Sequence, residues 1–120
     1  MSRPCAVVTG AAGGLGIPIA RGLAEAGYAL LLVDMNPAVE GVAESLHQAA
    51  EVSEACVADL SSDEGVSAVS DAVRRIGLPL SLLVNNAGIT RDARLHKMTP
   101  EDFDLVIEVN LLAAIRLTLG

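Results

Sequence analysis

The sequence predicts an α/β domain of the doubly wound type, a parallel sheet with the strand order 3-2-1-4. Three observations predict it. Short apolar runs alternate with amphipathic stretches along the chain. Runs that alternate with helices in this way imply parallel strands joined by right-handed crossovers. Glycines cluster directly behind the first run, where a strand must turn into a helix.

Each element can be justified in order. Cys5–Thr9 is a continuous apolar run that meets glycine, which reads as a buried strand. Leu15–Ala26 is expected to be helical, with Ile19, Leu23 and Ala26 on its inner face. Pro18 falls in the first turn, where a missing N–H costs little, and Gly27 ends the helix. Ala29–Val33 is the second strand and closes on Asp34. Asn36 and Pro37 suit the cap and first position of a second helix striped by Val39, Ala43, Leu46 and Ala50. Ala55–Ala58 is a third strand that ends at Asp59. Ser62 caps a third helix, Asp63 and Glu64 suit its positive end, and Val66, Val69, Val73 and Ile76 face inward. Gly77 and Pro79 break that helix, and Leu80–Val84 is the fourth strand. After a polar loop over Asn85–Met98, Thr99 and Pro100 open a last helix, with Asp102 placed as in a capping box. Phe103, Ile107, Asn110, Ala114 and Leu117 share one face of that expected helix.

The 120 residues are read as one domain, 1–120. Hydrophobic residues make up 52% and aromatic residues only 2%, so the core must be built from small aliphatics. The net charge of −7 leaves no basic stripe for nucleic acid and no basic amphipathic face for a membrane surface. No apolar run approaches the roughly 20 residues needed to span a bilayer. The N-terminal apolar run is too short for a signal peptide, and the expected location is cytoplasmic. Cys5 and Cys56 read as buried free thiols. His47, on the expected second helix, and His96 have no metal-like partners and read as surface residues, so no metal site is expected.

The turn Thr9-Gly10-Ala11-Ala12-Gly13-Gly14-Leu15-Gly16 joins the first strand to the first helix. Such a turn lets backbone N–H groups approach a pyrophosphate, with the positive end of the helix behind them. Gly10 permits the tight turn, Gly14 leaves room for a ligand and Gly16 allows close packing. The spacing is Thr-Gly-x-x-x-Gly-x-Gly. It resembles the short-chain dehydrogenase/reductase family. Further matches are Asp59 after the third strand, Asn85-Asn86-Ala87-Gly88 after the fourth, and Asn110 in Val109-Asn110-Leu111. The resemblance covers essentially the whole chain. Asn85–Leu117, with Ala87-Gly88-Ile89-Thr90-Arg91-Asp92, looks most like the 3-oxoacyl-thioester reductase branch. Ile17-Pro18 departs from the family pattern, which usually has a polar and a small residue there.

The resemblance implies the N-terminal part of a Rossmann-type sheet, here expected to be truncated, and an NAD(P)-dependent oxidoreductase. It implies a dinucleotide held by Gly10, Gly14, Leu15, Gly16, Asp34, Asp59, Leu60, Asn86, Ala87 and Gly88. Asp34, 18 positions after Gly16, can accept both ribose hydroxyls of NAD and would repel a 2′-phosphate. The positions where NADP users place a base hold Gly13, Met35 and Asn36, so NAD(H) is expected over NADP(H). In the family, Asn110 would hold a water in the proton relay; the bland alternative is a core amide bonded to backbone. Ketone reduction also needs an acid, which relatives supply from a Tyr with a Lys four residues on and a Ser nearby. The single tyrosine, Tyr28, is followed four residues later by Leu32, and the single lysine is Lys97. The chain is therefore expected to lack its catalytic Ser, Tyr and Lys, and its fifth strand.

By the same resemblance the substrate would be a small carbonyl or alcohol such as a 3-oxoacyl thioester, and the protein a homo-oligomer. An uncovered Leu80–Val84 edge would favour self-association. The alternatives are a stand-alone nucleotide-binding or regulatory module and a methyltransferase-type domain. The last would leave Asn85–Gly88 and Asn110 unexplained.

Overall fold

The structure, a computed structural model, describes residues 3–85, 107–112 and 116–119. Strand β1 (Cys5–Thr9) leads to helix α1 (Gly16–Glu25), strand β2 (Ala29–Asp34) and helix α2 (Val39–Ser45). Strand β3 (Ser53–Val57), helix α3 (Asp63–Ile76) and strand β4 (Leu80–Asn85) follow, then strands β5 (Ile107–Leu112) and β6 (Arg116–Leu119). The sheet order is β3-β2-β1-β4-β5-β6. The first four strands are parallel and lie in the expected order 3-2-1-4. All four therefore bring their carboxyl ends to one edge of the sheet, where Thr9, Asp34 and Asn85 stand.

The continuous apolar runs form strands because both faces of the sheet are covered. Ala6, Val8, Leu30 and Leu32 point to one face, where they pack with Ala20 and Ala24 of α1 and Val39 and Ala43 of α2. Val7, Leu31 and Val33 point to the other, against Val69, Ala72 and Val73 of α3. Alternation along each strand thus feeds two cores. Ser53, on the edge strand β3, is buried but donates from Oγ to the Ala43 carbonyl (2.9 Å), which compensates its desolvation.

The helices keep their expected faces with two adjustments. In α1 the residues nearest the sheet are Gly16, Ala20 and Ala24, while Ile19 and Leu23 lie at the margin of the core and Ala26, expected on the inner face, is the exposed C-cap. Only small side chains fit where that helix approaches the strands. In α2 the stripe Val39, Ala43, Leu46 and Ala50 is buried as expected, but regular helix stops at Ser45 and turns carry Leu46 and Ala50 inward. His47 therefore lies beyond the helix, exposed, with Nε2 3.0 Å from the Ser53 carbonyl. Asn36 accepts the Ala38 N–H (2.9 Å) and opens the turn before α2. Ser62 caps α3 by accepting the Gly65 N–H (3.0 Å), and Gly77 ends it at φ 75°.

The last expected helix is corrected. Ile107–Leu112 is a strand, parallel to β4 with Leu82 opposite Ile107 and Asn85 opposite Asn110. Arg116–Leu119 returns antiparallel to it. Ile107-Glu108-Val109-Asn110-Leu111 alternates apolar with polar, a strand pattern, and the open edge of β4 offers it a ladder. Thr99, Phe103 and Ala114 lie outside the described residues. A fifth strand is thus present, and the β4 edge is covered. Self-association through that edge loses its basis.

Cys5 and Cys56 are free, Cys5 buried and Cys56 part-exposed. Among the described residues, no helix is long and apolar enough to cross a membrane, and no cluster of His, Cys, Asp or Glu could hold a metal ion.

Candidate functional site

The turn between β1 and α1 lies at the carboxyl edge of the sheet, where open parallel sheets bind ligands. Thr9 is fully buried and donates from Oγ1 to the Val84 carbonyl (3.3 Å), tying the end of β1 to β4. The chain then reverses at Gly10, whose φ of 63° favours glycine.

The amides of the turn divide into two groups. Ala11 N–H donates to the Val33 carbonyl (3.2 Å), and Ala12 N–H donates to Asp34 Oδ2 (2.9 Å). Gly13 N–H donates to the Gly10 carbonyl (3.2 Å). These three are engaged within the protein. No described residue accepts from the N–H groups of Gly14, Leu15 or Gly16, which lead into the start of α1. The first amides of a helix have no intrahelical partner and sit at its positive end, so this row suits an anion.

The glycines fit that use. A Cβ on Gly14 would have nothing within 4 Å, so the space above it is open. A Cβ on Gly16 would overlap the Gly10 carbonyl oxygen and stand 2.7 Å from Ala11 Cα. Gly16 is thus required by the turn itself. Leu15 is 48% exposed beside these amides, an apolar side chain free to cover a ligand.

Asp34 closes the site from β2. Its Oδ1 accepts the Asn36 N–H (2.9 Å) while Oδ2 holds Ala12. An ionised carboxylate has about four acceptor positions, so two remain for a ligand. Met35 follows, 52% exposed. Asp59 stands beyond β3, where Oδ1 accepts from the Ser61 N–H (2.9 Å) and hydroxyl (2.6 Å). It therefore shapes the turn into α3. Leu60 has its side chain in the core beneath α3, which leaves only its backbone for the site.

Gly65 was not singled out from the sequence. Its position in α3 presses on Asp59, and a Cβ there would overlap the Asp59 carbonyl oxygen. The only signal was a glycine three residues after a capping serine. Asn110 lies in β5 opposite Asn85 and not on the helical face expected for it. Asn86, Ala87 and Gly88 lie outside the described residues.

Burial raises the Cys5 thiol to about 11, with Glu54 adding to it. Burial also raises Cys56, opposed by Arg75. Neither thiol is suited to act as a nucleophile at neutral pH.

The family model for short chain dehydrogenases matches residues 4–120. An acetoacetyl-CoA reductase of Paracoccus denitrificans is 35% identical over 113 residues, which are 94% of this chain and 46% of that protein. A hydroxyacyl-CoA dehydrogenase of Mycobacterium tuberculosis is 38% identical over 98% of this chain and 39% of its own length. The chain spans less than half the length of these relatives. Among solved structures, NAD+-bound xylitol dehydrogenase superposes with a TM-score of 0.64 at 38% identity, covering 72% of this chain and 34% of that one. L-sorbose reductase from Gluconobacter frateurii, complexed with NADPH, gives 0.75 at 27% identity, covering 85% and 48%. With the glycine turn, the strand order and a match over residues 4–120, the chain belongs to the short-chain dehydrogenase family.

Proposed function

We propose that the domain binds a nicotinamide dinucleotide at the turn Thr9–Gly16, with NAD(H) preferred over NADP(H). It would serve an oxidoreductase acting on a ketone/alcohol pair, and the acyl thioesters named for two relatives are the substrate class we favour. The bound cofactor would supply or accept the hydride. The observation that carries the reading is the Asp34 carboxylate beside the turn, with no basic residue at Gly13, Met35 or Asn36.

The Gly14, Leu15 and Gly16 amides would bind the pyrophosphate. Gly14 leaves it room, and Leu15 would shield it from water. The free acceptor positions of Asp34 would take the ribose hydroxyls, and a 2′-phosphate there would meet a negative charge with no partner. The backbone around Asp59 and Leu60 would border the adenine. Asn86, Ala87 and Gly88 remain assigned to the cofactor as proposals.

Calorimetric titration of the protein with NADH and NADPH tests the reading. NADH should bind more tightly, and Asp34→Ala should narrow the gap by about 1–3 kcal/mol, the range for hydrogen bonds to a charged group. Equal or tighter NADPH binding by the wild type would overturn the preference.

A further inference from the structure

We infer that Asp34 is a positioning residue for the glycine turn as well as a ribose acceptor, because its carboxylate holds the Ala12 amide and so sets the row of amides behind it that no described residue accepts. Its bearing on cofactor binding rests on the function proposed above.

The geometry is that of a clamp. The end of β2 grips two consecutive amides of the turn, Ala11 through the Val33 carbonyl (3.2 Å) and Ala12 through Asp34 Oδ2 (2.9 Å). Asp34 is itself fixed from two sides. Its Oδ1 accepts the Asn36 N–H (2.9 Å), and its carbonyl accepts the Ala58 N–H beyond β3 (3.0 Å). The carboxylate is therefore not a free arm awaiting a ligand. Asp34 links the residue after β3 through its carbonyl to the turn after β1 through its carboxylate, and only Gly13 separates Ala12 from the amides that no described residue accepts.

The sign of one effect separates this role from ribose recognition. Inorganic pyrophosphate has no ribose, so an Asp34 that only recognised ribose would not help to bind it. Removing a nearby negative charge should then strengthen pyrophosphate binding. If Asp34 sets the turn, its removal weakens that binding despite the lost repulsion.

Amide exchange and shift perturbation by NMR read both parts on the whole chain. In Asp34→Ala without ligand, Ala12 should exchange about tenfold faster, as expected for one lost hydrogen bond, while Leu31 in β2 keeps its protection. Pyrophosphate, followed at Gly14, Leu15 and Gly16, should bind several-fold more weakly. Asp34→Asn keeps one carbonyl oxygen for two amides without the charge, so its Ala12 exchange should fall between the two, which decides the matter if the alanine variant unfolds. Unchanged Ala12 exchange in both variants would overturn the clamp. Faster exchange with equal or tighter pyrophosphate binding would overturn its role in presenting the amides. If the wild type bound no pyrophosphate and no NADH, the cofactor reading would fail, while the exchange at Ala12 would still decide the clamp.

Discussion

Replacing Gly16 by alanine should destabilise the protein, and replacing Gly22 in the same helix should do the opposite. A Cβ on Gly16 would overlap the Gly10 carbonyl oxygen and lie 2.7 Å from Ala11 Cα and 3.0 Å from its carbonyl carbon. All three are backbone atoms in a turn held by hydrogen bonds to β2, so no side chain can swing aside. Restoring an ordinary carbon–carbon contact requires a shift of about 1 Å. Overpacking of this kind costs about 1–3 kcal/mol, from which the better helix propensity of alanine removes at most about 1. Gly22 is exposed, and a Cβ there meets nothing within 4 Å. Alanine at Gly22 should therefore stabilise by about 0.5–1 kcal/mol. Urea denaturation followed by circular dichroism compares the two variants with the wild type under identical conditions. A Gly16→Ala midpoint at or above that of Gly22→Ala would refute the steric argument.

Ser62→Ala removes the acceptor for the Gly65 N–H and a donor to the Asp59 carbonyl, and should cost about 1 kcal/mol in the same denaturation assay. Cys5 gives a pH dependence. Its thiol rises from an ordinary value near 9 to about 11 on folding, so its contribution is fully present below pH 9 and is lost as the pH rises to 11. At about 1.4 kcal/mol per unit, alkaline titration should remove on the order of 2 kcal/mol more from the wild type than from Cys5→Ala. Because Cys56 is part-exposed and Cys5 buried, a thiol reagent should label Cys56 in the native protein and Cys5 only with unfolding. The 120 residues contain no Tyr-x-x-x-Lys, so they should not oxidise NADH with an acetoacetyl thioester; absorbance at the NADH band against a no-protein control checks this.

The parts of the fold legible in the sequence are those decided locally or by burial on both faces. Cys5–Thr9 and Ala29–Val33 are uninterrupted apolar runs because each side of the sheet carries a helix layer. The start of α3 was legible because a serine cap acts over three residues, and its end because Gly77 takes a left-handed conformation. The end of α2 was not. Its stripe runs on to Ala50, but burial constrains which face a residue shows and not whether the chain stays helical, and turns after Ser45 serve equally well. Residues 107–119 misled for a related reason. Ile107, Asn110 and Leu117 fit a helical face, while Ile107, Val109 and Leu111 fit a strand. The free edge of β4, which lies more than 20 residues away in sequence, decides between them by offering hydrogen bonds to a strand.

The candidate site divides along the same line. Its outward face is written in consecutive residues, since Gly10, Gly14 and Gly16 each answer a local need for a reversal, an open space or a close approach. Its supporting face is not. Two of the three engaged amides are held by Val33 and Asp34, more than 20 residues further along the chain, and only pairing of β1 with β2 brings them behind the turn. The pressure of Gly65 on Asp59 belongs to the same hidden layer, because a helix and a strand end meet there without any shared motif. Asp34 is where the two faces join. Reading it only as a selectivity residue treats the turn as rigid by itself, yet two consecutive amides of that turn depend on the end of β2. A substitution at Asp34 that tests the proposed cofactor preference therefore also removes the acceptor of the Ala12 N–H, and the two effects must be measured apart.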